Sequence, residues 1–332
     1  MQRVLDPELA YRQFDTLYVE TPRHKAINAA LEESLHMMRR SSGSDMRNLL
    51  ITGDSGMGKS MTLKRFRDRV NGAAKLSNPD ALPILYVNTP EETSLKAMST
   101  AILDALGDLF PGKSAHHVQM IRIRALMDEV GVLMVILDEF QHIFEGRSKG
   151  AIKTATQFIK NLENQLGRPI VLAGMRSIEN LVRGSPELRR RFNTRLRIGR
   201  YLLKEPDSKE FLGFVKAVET ALPLPVEEPF TDKRMMLALY CISGGIPDYL
   251  IKPLKLALSR ALDGQQAVLR EQDLIEAVNT TLDPEGQVLN PLKQDHAKLR
   301  QMVRLLRSVE TDLLRRIEPE FAPVRFSWLD DI

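Results

Sequence analysis

The feature that most constrains this 332-residue chain is the run GDSGMGKS at residues 53–60, which fits the pattern G-x-x-x-x-G-K-[ST]. The apolar run NLLIT precedes it and MTLKRFRDRV follows it, so a strand is predicted before the run and a helix after it. Glycines let backbone N–H groups surround a phosphate, and the helix N-terminus adds its positive end. A turn that only joins a strand to a helix is the alternative, and the matching strand and helix argue against it.

The residue types in this run predict separate tasks. Lys59 is predicted to reach the β- and γ-phosphates of a nucleotide and to act in catalysis, and the Ser60 hydroxyl is predicted to hold Mg²⁺. The predicted nucleotide-binding residues of the run and its flank are Gly53, Asp54, Ser55, Gly56, Met57, Gly58, Lys59, Ser60 and Met61.

A pair of acids forms the second signal. The run VLMVILDEF at residues 132–140 is almost wholly apolar up to Asp138 and Glu139, as in a strand buried on both faces of a parallel sheet. Ligands of such sheets bind at the carboxyl ends of the strands. Asp138 is therefore predicted to hold Mg²⁺ through water, and Glu139 to orient or deprotonate an attacking water. Acids that end a strand because the end meets solvent are the alternative, which the phosphate-binding run makes the weaker one.

Strands alternate with helices over residues 47–203, which predicts an α/β fold with an open parallel sheet and helices on both faces. Residues 1–46 are predicted as an irregular arm and a helix, 204–282 as a small helical lid lobe, and 283–332 as a linker, a charged helix and a tail. Strands are predicted at 47–53, 82–88, 132–140 and 168–174, and helices at 23–40, 59–70, 93–110, 118–131 and 151–167.

Composition sets few limits. Lys and Arg number 47 against 43 Asp and Glu, a formal net charge of +4 with a pI near 9.1, which permits a nucleic-acid partner without requiring one. The single cysteine, Cys241, excludes an intrachain disulfide and a thiol-rich metal site. The first residues lack the apolar run of a signal peptide, and no stretch is long enough to span a membrane, so a cytoplasmic protein without membrane contact is expected.

Arginines concentrate in the segment after the fourth predicted strand. Eight arginines stand between residues 176 and 200, in a stretch interpreted as a loop. A solvated basic face accounts for most of them. A nucleotide hydrolase also uses an arginine at the γ-phosphate, sometimes supplied by a neighbouring subunit. Arg191 is the first choice for this catalytic role and Arg190 the second.

Together these motifs resemble the AAA+ ATPases, with a parallel sheet flanked by helices and a helical lid, and more narrowly the TniB/TnsC family of transposition regulators. The resemblance runs through LYVETPRHKAI, NLLITGDSGMGKS, YVNTP, VILDEFQHIF, FIKNLENQLGRPIVLAGM and SPELRRRF, over roughly residues 14–255. It implies ATP and Mg²⁺ as cofactors, and it places Tyr18 and the segment with Arg23 and His24 at the adenine pocket.

The resemblance implies more about partners than the residues do. It implies a homo-oligomer, a ring or helical filament on duplex DNA, with ATP between subunits and an arginine acting in trans. It also implies a link between the transposase and a target selector, which is either a protein or an RNA-guided complex, and disassembly on ATP hydrolysis. Two positions depart from the AAA+ pattern. Asp248 and Tyr249 occupy the place where many AAA+ proteins carry a sensor arginine, and Met175 and Arg176 stand after the fourth strand, where a polar sensor residue is usual. Hydrolysis is therefore expected to be slow.

Contacts with DNA phosphates would need basic and short polar side chains on a common surface. One candidate group is Thr89, Lys96 and Lys113, which follow the second predicted strand. The other is Lys149 and Lys153, with Lys160 near the same helical stripe. Lysines on a solvated face are an equal alternative for any one of them. The pair His116-His117 is interpreted as part of a loop and not as metal ligands.

Two other functions stay open at this stage. One is a related AAA+ loader or initiator that places another protein on DNA. The other is a P-loop enzyme of kinase or helicase type, although one such core in this length is short for a two-core helicase. In the tail, Phe321, Phe326 and Trp328 could dock on a partner or fold back on the chain itself.

Overall fold

The computed structural model describes residues 6–40, 47–92, 94–144, 149–204, 206–282 and 289–317, with the backbone alone for 149–151, 154 and 307–317. Contacts divide the chain into two units. An α/β unit covers Pro22–Gly199, and a helical unit combines the residues up to Thr21 with those from Arg200 onward. The segment boundaries expected from the sequence stay predictions.

A five-stranded parallel sheet organises the α/β unit. Its strand order is β2-β3-β4-β1-β5, and the register pairs Leu50 with Leu172 and Ile51 with Leu196. Strands β1 to β4 lie where the sequence predicts them, which confirms the parallel α/β class. The strands are β1 (Leu49–Gly53), β2 (Ile84–Asn88), β3 (Met134–Asp138), β4 (Ile170–Gly174) and β5 (Thr194–Ile198).

Helices surround the sheet and form the helical unit. The described α-helices are α1 (Pro7–Asp15), α2 (Pro22–Arg40), α3 (Lys59–Lys75), α4 (Leu95–Ala105), α5 (His116–Glu129), α6 (Lys149–Leu166), α7 (Ser177–Gly184), α8 (Pro186–Arg191), α9 (Asp207–Ala221), α10 (Lys233–Ser243), α11 (Pro247–Asp263), α12 (Glu271–Leu282) and α13 (His296–Ile317). Two short 3₁₀ helices lie at Phe140–Ile143 and Pro291–Lys293. None of the helices in the described segments is long and apolar enough to cross a membrane.

The core explains the continuous apolar runs of the strands. Leu50, Leu85 and Val135 belong to a buried cluster that also takes side chains from α4, α5, α6 and α7. Leu49 and Ile51 lie outside that cluster and are equally buried. Helices α2 and α3 also contact β1. Successive side chains of a strand point to opposite faces, so both faces of the sheet are covered by helices.

Three expectations about local structure are wrong. The N-terminal arm is not wholly irregular, because α1 begins there with Asp6 as its N-cap, accepting from the backbone N–H groups of Glu8 and Leu9 at 3.0 and 3.3 Å. His116 and His117 lie in the first turn of α5 and not in a loop. The helix predicted at 93–110 is shorter: it begins after Ser94, which caps it, and ends at Ala105.

The arginine-rich segment 175–200 is also not a loop. It contains α7, α8 and β5. In β5 the sequence TRLRI leaves both arginines exposed. The strand pairs with β1 at one edge of the sheet, so it needs no continuous apolar run, and this is why its sequence does not read as a strand.

The helical unit has an aromatic core of its own. The Phe211 ring lies 5.9 Å from that of Tyr201 and 5.4 Å from that of Tyr240, and the Tyr240 hydroxyl donates to the Tyr201 carbonyl at 3.1 Å. Helix α1 packs on α11 in this unit, where Lys255 Nζ lies 2.8 Å from the Asp15 carboxylate. Helices α9 to α12 confirm the expected run of helices. The aromatic residues of the tail lie outside the described residues.

Candidate nucleotide site

The run at 53–60 forms the connection between β1 and α3. Gly56 and Gly58 adopt φ angles of 77° and 82°, a left-handed conformation that glycine adopts without strain. A Cβ on Gly58 would lie 3.0 Å from Nε2 of His24, so the connection passes close to α2. Helix α3 begins at Lys59, and its N-cap Gly58 offers no side chain to the free N–H groups of the first turn. Those N–H groups are therefore free to bind an anion at the end of β1.

Lys59 lies inside this connection. Its residue exposure is 5%, and Nζ donates to the carbonyls of Gly53 at 2.9 Å and Asp54 at 2.8 Å. Burial lowers the pKa of the Lys59 ammonium, against the opposing influence of Glu139, Asp138 and Asp54. The two acids at the end of β3 thus lie near enough to Lys59 to influence its charge.

Asp138 ends β3 and is completely buried. Its Oδ2 accepts from the Tyr86 hydroxyl at 2.6 Å, and its Oδ1 accepts from the backbone N–H of Glu139 at 2.9 Å. Burial, together with the hydrogen bond to Asp138, raises the pKa of Tyr86. The Tyr86 ring is also flanked by cations, with Lys64 Nζ 5.6 Å and the Arg67 guanidinium 5.2 Å from its centroid. The Asp138 carboxylate is therefore fixed in position by one donor on each of its oxygens.

Glu139 follows directly and has a strained backbone. Its φ and ψ of 53° and 37° are left-handed, an uncommon conformation for a residue with a side chain. The side chain is half-buried and accepts a hydrogen bond from the Gln141 side-chain amide. This acid therefore lies at the carboxyl edge of the sheet beside Asp138, where the sequence predicts a base.

The predicted adenine-pocket residues fall in both units. His24 is buried in α2 and its Nε2 lies 3.1 Å from the carbonyl of Met57, in the phosphate-binding run. Arg23 donates to the carbonyl of Gly199 at 2.6 Å, just after β5. Tyr18 belongs to the helical unit. Within the α/β unit, the start of α2 is thus in contact with the phosphate-binding connection.

The candidate arginines lie at the C-terminal end of α8. Arg191 forms an ion pair with Glu163 of α6 and donates to the Asn164 side chain at 3.0 Å. Arg190 is exposed. These contacts within one chain do not test whether either arginine reaches the γ-phosphate of a neighbouring subunit, so that role stays a prediction.

The residues predicted to contact DNA differ in their exposure to solvent. Lys96, Lys113 and Lys153 are exposed, whereas Thr89 is only 5% exposed. The backbone N–H of Thr89 donates to the Asp138 carbonyl at 2.9 Å, which places Thr89 beside the acid pair. The Lys149 side chain lies outside the described residues. Lys160 is paired with Glu187.

Four polar residues at the site have no motif that predicts them. Tyr86 and Gln141 hold the two acids, as described above. Arg176 Nε lies 3.4 Å from the Asp54 carboxylate of the phosphate-binding run. Glu179 accepts from the Thr52 hydroxyl at 2.7 Å, which ties α7 to the end of β1. Tyr86 and Gln141 lie within the runs YVNTP and VILDEFQHIF, but these runs do not indicate which group each side chain contacts.

Comparison with known proteins now decides the family. The sequence profile described as "Bacterial TniB protein" matches residues 13–198, more than half of the chain. The chain belongs to the TniB family. The match spans the whole α/β unit up to the end of β5 and confirms the resemblance that the motifs indicate. No curated protein matches the TniB chain in sequence.

Solved structures share the fold of this TniB protein. The Aeropyrum pernix ORC2 protein in ADPNP–ADP complexes is 18% identical, with 96% of this chain and 87% of that chain covered and a TM-score of 0.58. The A. pernix ORC1 protein in complex with DNA is 16% identical, with coverage of 90% and 85% and a TM-score of 0.60. Cdc6p from Pyrobaculum aerophilum is 14% identical, with coverage of 92% and 90% and a TM-score of 0.57. These likenesses confirm the AAA+ P-loop NTPase fold with a helical C-terminal lobe.

Proposed function

We propose that this TniB protein binds and slowly hydrolyses ATP, oligomerises on duplex target DNA, and links a target-selection complex to the transposase. Hydrolysis of ATP then drives disassembly of the oligomer. The observation that carries the proposal is that Lys59 follows β1 and that Asp138 and Glu139 lie at the end of β3, at the same carboxyl edge of the parallel sheet, in a chain of this family. Each part of the proposal rests on separate residues.

ATP binding requires a change at Lys59. The ammonium that donates to two loop carbonyls would donate instead to the β- and γ-phosphate oxygens, while the first N–H groups of α3 surround the β-phosphate. The buried position of the ammonium strengthens this exchange, because an anion would compensate a desolvated charge better than two carbonyls do. Tyr18, Arg23 and His24 are the proposed residues at the adenine.

The oxygens of the site fit Mg²⁺. The Asp138 carboxylate and the Ser60 hydroxyl are hard oxygen donors, and each carboxylate oxygen keeps a lone pair beyond the single hydrogen bond described for it. When bound with the nucleotide, Mg²⁺ would neutralise phosphate charge. Tyr86 and the backbone of Glu139 hold the carboxylate in place for this role.

Hydrolysis is assigned to Glu139 as the group that orients the attacking water and accepts its proton. Arg191, or Arg190 beside it, is proposed to reach the γ-phosphate of a neighbouring copy. Mixing Lys59→Ala with Arg191→Ala tests this, because in a mixed assembly the intact phosphate site of an Arg191→Ala subunit can face the intact arginine of a Lys59→Ala subunit. Recovery of ATPase activity above that of either variant alone supports action in trans, and no recovery counts against Arg191.

DNA binding is proposed for Lys96, Lys113, Lys149 and Lys153. The three lysines with described side chains are exposed, as contacts with phosphates require. A duplex bound through phosphates alone would be held without sequence preference and released by salt. This matches a protein that must line up along target DNA of any sequence.

Electron microscopy of the purified protein with duplex DNA tests the assembly. Rings or filaments are expected with a slowly hydrolysed ATP analogue and not without nucleotide. Glu139→Gln, which retains the size of the side chain and removes the base, should lock the assemblies in the presence of ATP itself. A monomer under every condition would overturn the proposed oligomer, whatever the ATPase rate.

An AAA+ loader or initiator is the second candidate. The likeness to the ORC1 protein solved in complex with DNA, which extends over 90% of this chain and so includes the helical unit, favours it. Such a protein would place a partner on DNA without forming long polymers. Discrete complexes of fixed size in the same micrographs would support the loader over the filament.

A further inference from the structure

The side chain of Gln141 joins two parts of the site. Gln141 follows Glu139 in the 3₁₀ helix after β3 and is only 1% exposed. Its Nε2 donates to Oε2 of Glu139, and its Oε1 accepts from the backbone N–H of Met175 at 3.0 Å. A single buried amide therefore bridges the proposed base and the residue that follows β4.

The orientation of this amide is fixed by chemistry. A backbone N–H can only donate, so the oxygen of the amide must face Met175 and the NH₂ group must face Glu139. The NH₂ group then donates to the Glu139 carboxylate. A reversed amide would set two donors against each other at Met175.

The backbone around Gln141 has a conformation that admits this bridge. Gly174 ends β4 with a φ of 153°, and a Cβ at this position would overlap Oε1 of Gln141 and approach Ile178 Cδ1 to 2.7 Å. Glu139 keeps its left-handed backbone in the same region. Gln141 therefore meets the backbone directly after Gly174, at the N–H of Met175, and the side chain of Glu139.

We propose that Gln141 is a positioning residue for ATP hydrolysis, which fixes the Glu139 carboxylate relative to the end of β4. The inference rests on the proposed ATPase function. Met175 offers only its backbone N–H to this bridge, and Arg176 turns to Asp54. The polar contact between the end of β4 and the base is thus supplied by Gln141, from the 3₁₀ helix after β3.

The test compares Gln141→Met with Gln157→Met. Methionine keeps the length of the side chain and removes both hydrogen bonds, and Gln157 is an exposed glutamine on α6 that controls for the substitution itself. We expect kcat for ATP hydrolysis, with Mg²⁺ and with or without duplex DNA, to fall about 100-fold for Gln141→Met and to stay unchanged for Gln157→Met. The KM for ATP and the affinity for a fluorescent ATP analogue should stay within about threefold of the wild type.

A second comparison separates positioning from general damage. If Gln141 acts through Glu139, then Gln141→Met added to Glu139→Gln should cause no further loss of the single-turnover rate. Gly174→Ala, which displaces the amide without changing it, should reproduce the loss of kcat and serves if Gln141→Met does not fold. A wild-type kcat in both Gln141→Met and Gly174→Ala, or losses that multiply with Glu139→Gln, would overturn the inference alone. Nucleotide binding without any hydrolysis by the wild-type protein would overturn the ATPase proposal, and this inference with it.

Discussion

Tyr86→Phe removes one hydroxyl and tests how the buried acid of the site is held. The hydroxyl donates to Asp138 Oδ2 at 2.6 Å, and Asp138 is completely buried. A hydrogen bond to a charged group contributes about 1.5–3 kcal/mol to stability. The ring remains in Tyr86→Phe, so its packing and its contacts with Lys64 and Arg67 are retained. We therefore expect a loss of about 2 kcal/mol in the free energy of unfolding.

Urea unfolding followed by far-UV circular dichroism measures this loss. Tyr249→Phe, at a tyrosine of the helical unit that is 46% exposed, is the matched control and should change stability by less than about 0.5 kcal/mol. A double-mutant cycle with Asp138→Asn isolates the contact. The coupling energy should be about 2 kcal/mol if the hydroxyl acts on the carboxylate.

Two results would refute the reasoning. One is a Tyr86→Phe variant as stable as Tyr249→Phe, which would mean that water replaces the hydroxyl at no cost. The other is a loss of stability that remains unchanged in the Asp138→Asn background, which would place the effect of the hydroxyl elsewhere.

Three further predictions test other parts of the molecule. Gly53→Ala should lower the free energy of unfolding by about 2 kcal/mol, because the new Cβ would overlap a carbonyl oxygen of β5. Gly72→Ala, in open space on α3, is the control and should raise the free energy of unfolding by about 0.8 kcal/mol in the same urea titration. Burial raises the pKa of Glu179, but hydrogen bonds from an arginine and a threonine lower it by more, so the pKa lies below its usual value. The ionised Glu179 therefore stabilises the folded protein above the usual glutamate range, and this contribution is lost as the pH falls through the folded pKa. Glu179→Gln should accordingly flatten the acid side of a profile of unfolding free energy against pH. Lys153→Ala should reduce the slope of log affinity for duplex DNA against log salt by about 1 in fluorescence anisotropy, while Lys75→Ala should leave it unchanged.

The sequence predicts those parts of the site whose chemistry is local. The phosphate-binding run needs its glycines, lysine and serine at fixed spacing in one connection, so the pattern is visible without the fold. The acid pair is visible for a similar reason, because Asp138 and Glu139 interrupt an apolar run. The two motifs converge because parallel strands end at the same edge of a sheet, and alternation of strands and helices predicts that sheet.

Elements whose signals are weak or non-local cannot be predicted from the sequence. Strand β5 pairs with β1 at the edge of the sheet and alternates exposed arginines with less exposed residues, so it resembles a basic loop. Helix α1 had a visible signal in Asp6 and Pro7, a cap followed by a proline at the first helical position, which the mixed composition of the arm concealed. Neither omission changed the predicted fold, because the other strands already define the parallel sheet.

By itself, the sequence determined the AAA+ α/β core and the run of helices after it, and it indicated the residues proposed for the phosphate and acid chemistry. Only the tertiary structure decided which side chains hold those residues: Tyr86 on Asp138, and Gln141 between Glu139 and the end of β4. The physical reason is distance along the chain. A motif records residues whose spacing is fixed by one turn of backbone, whereas a hydroxyl 52 residues from its carboxylate meets it only after the strands have paired.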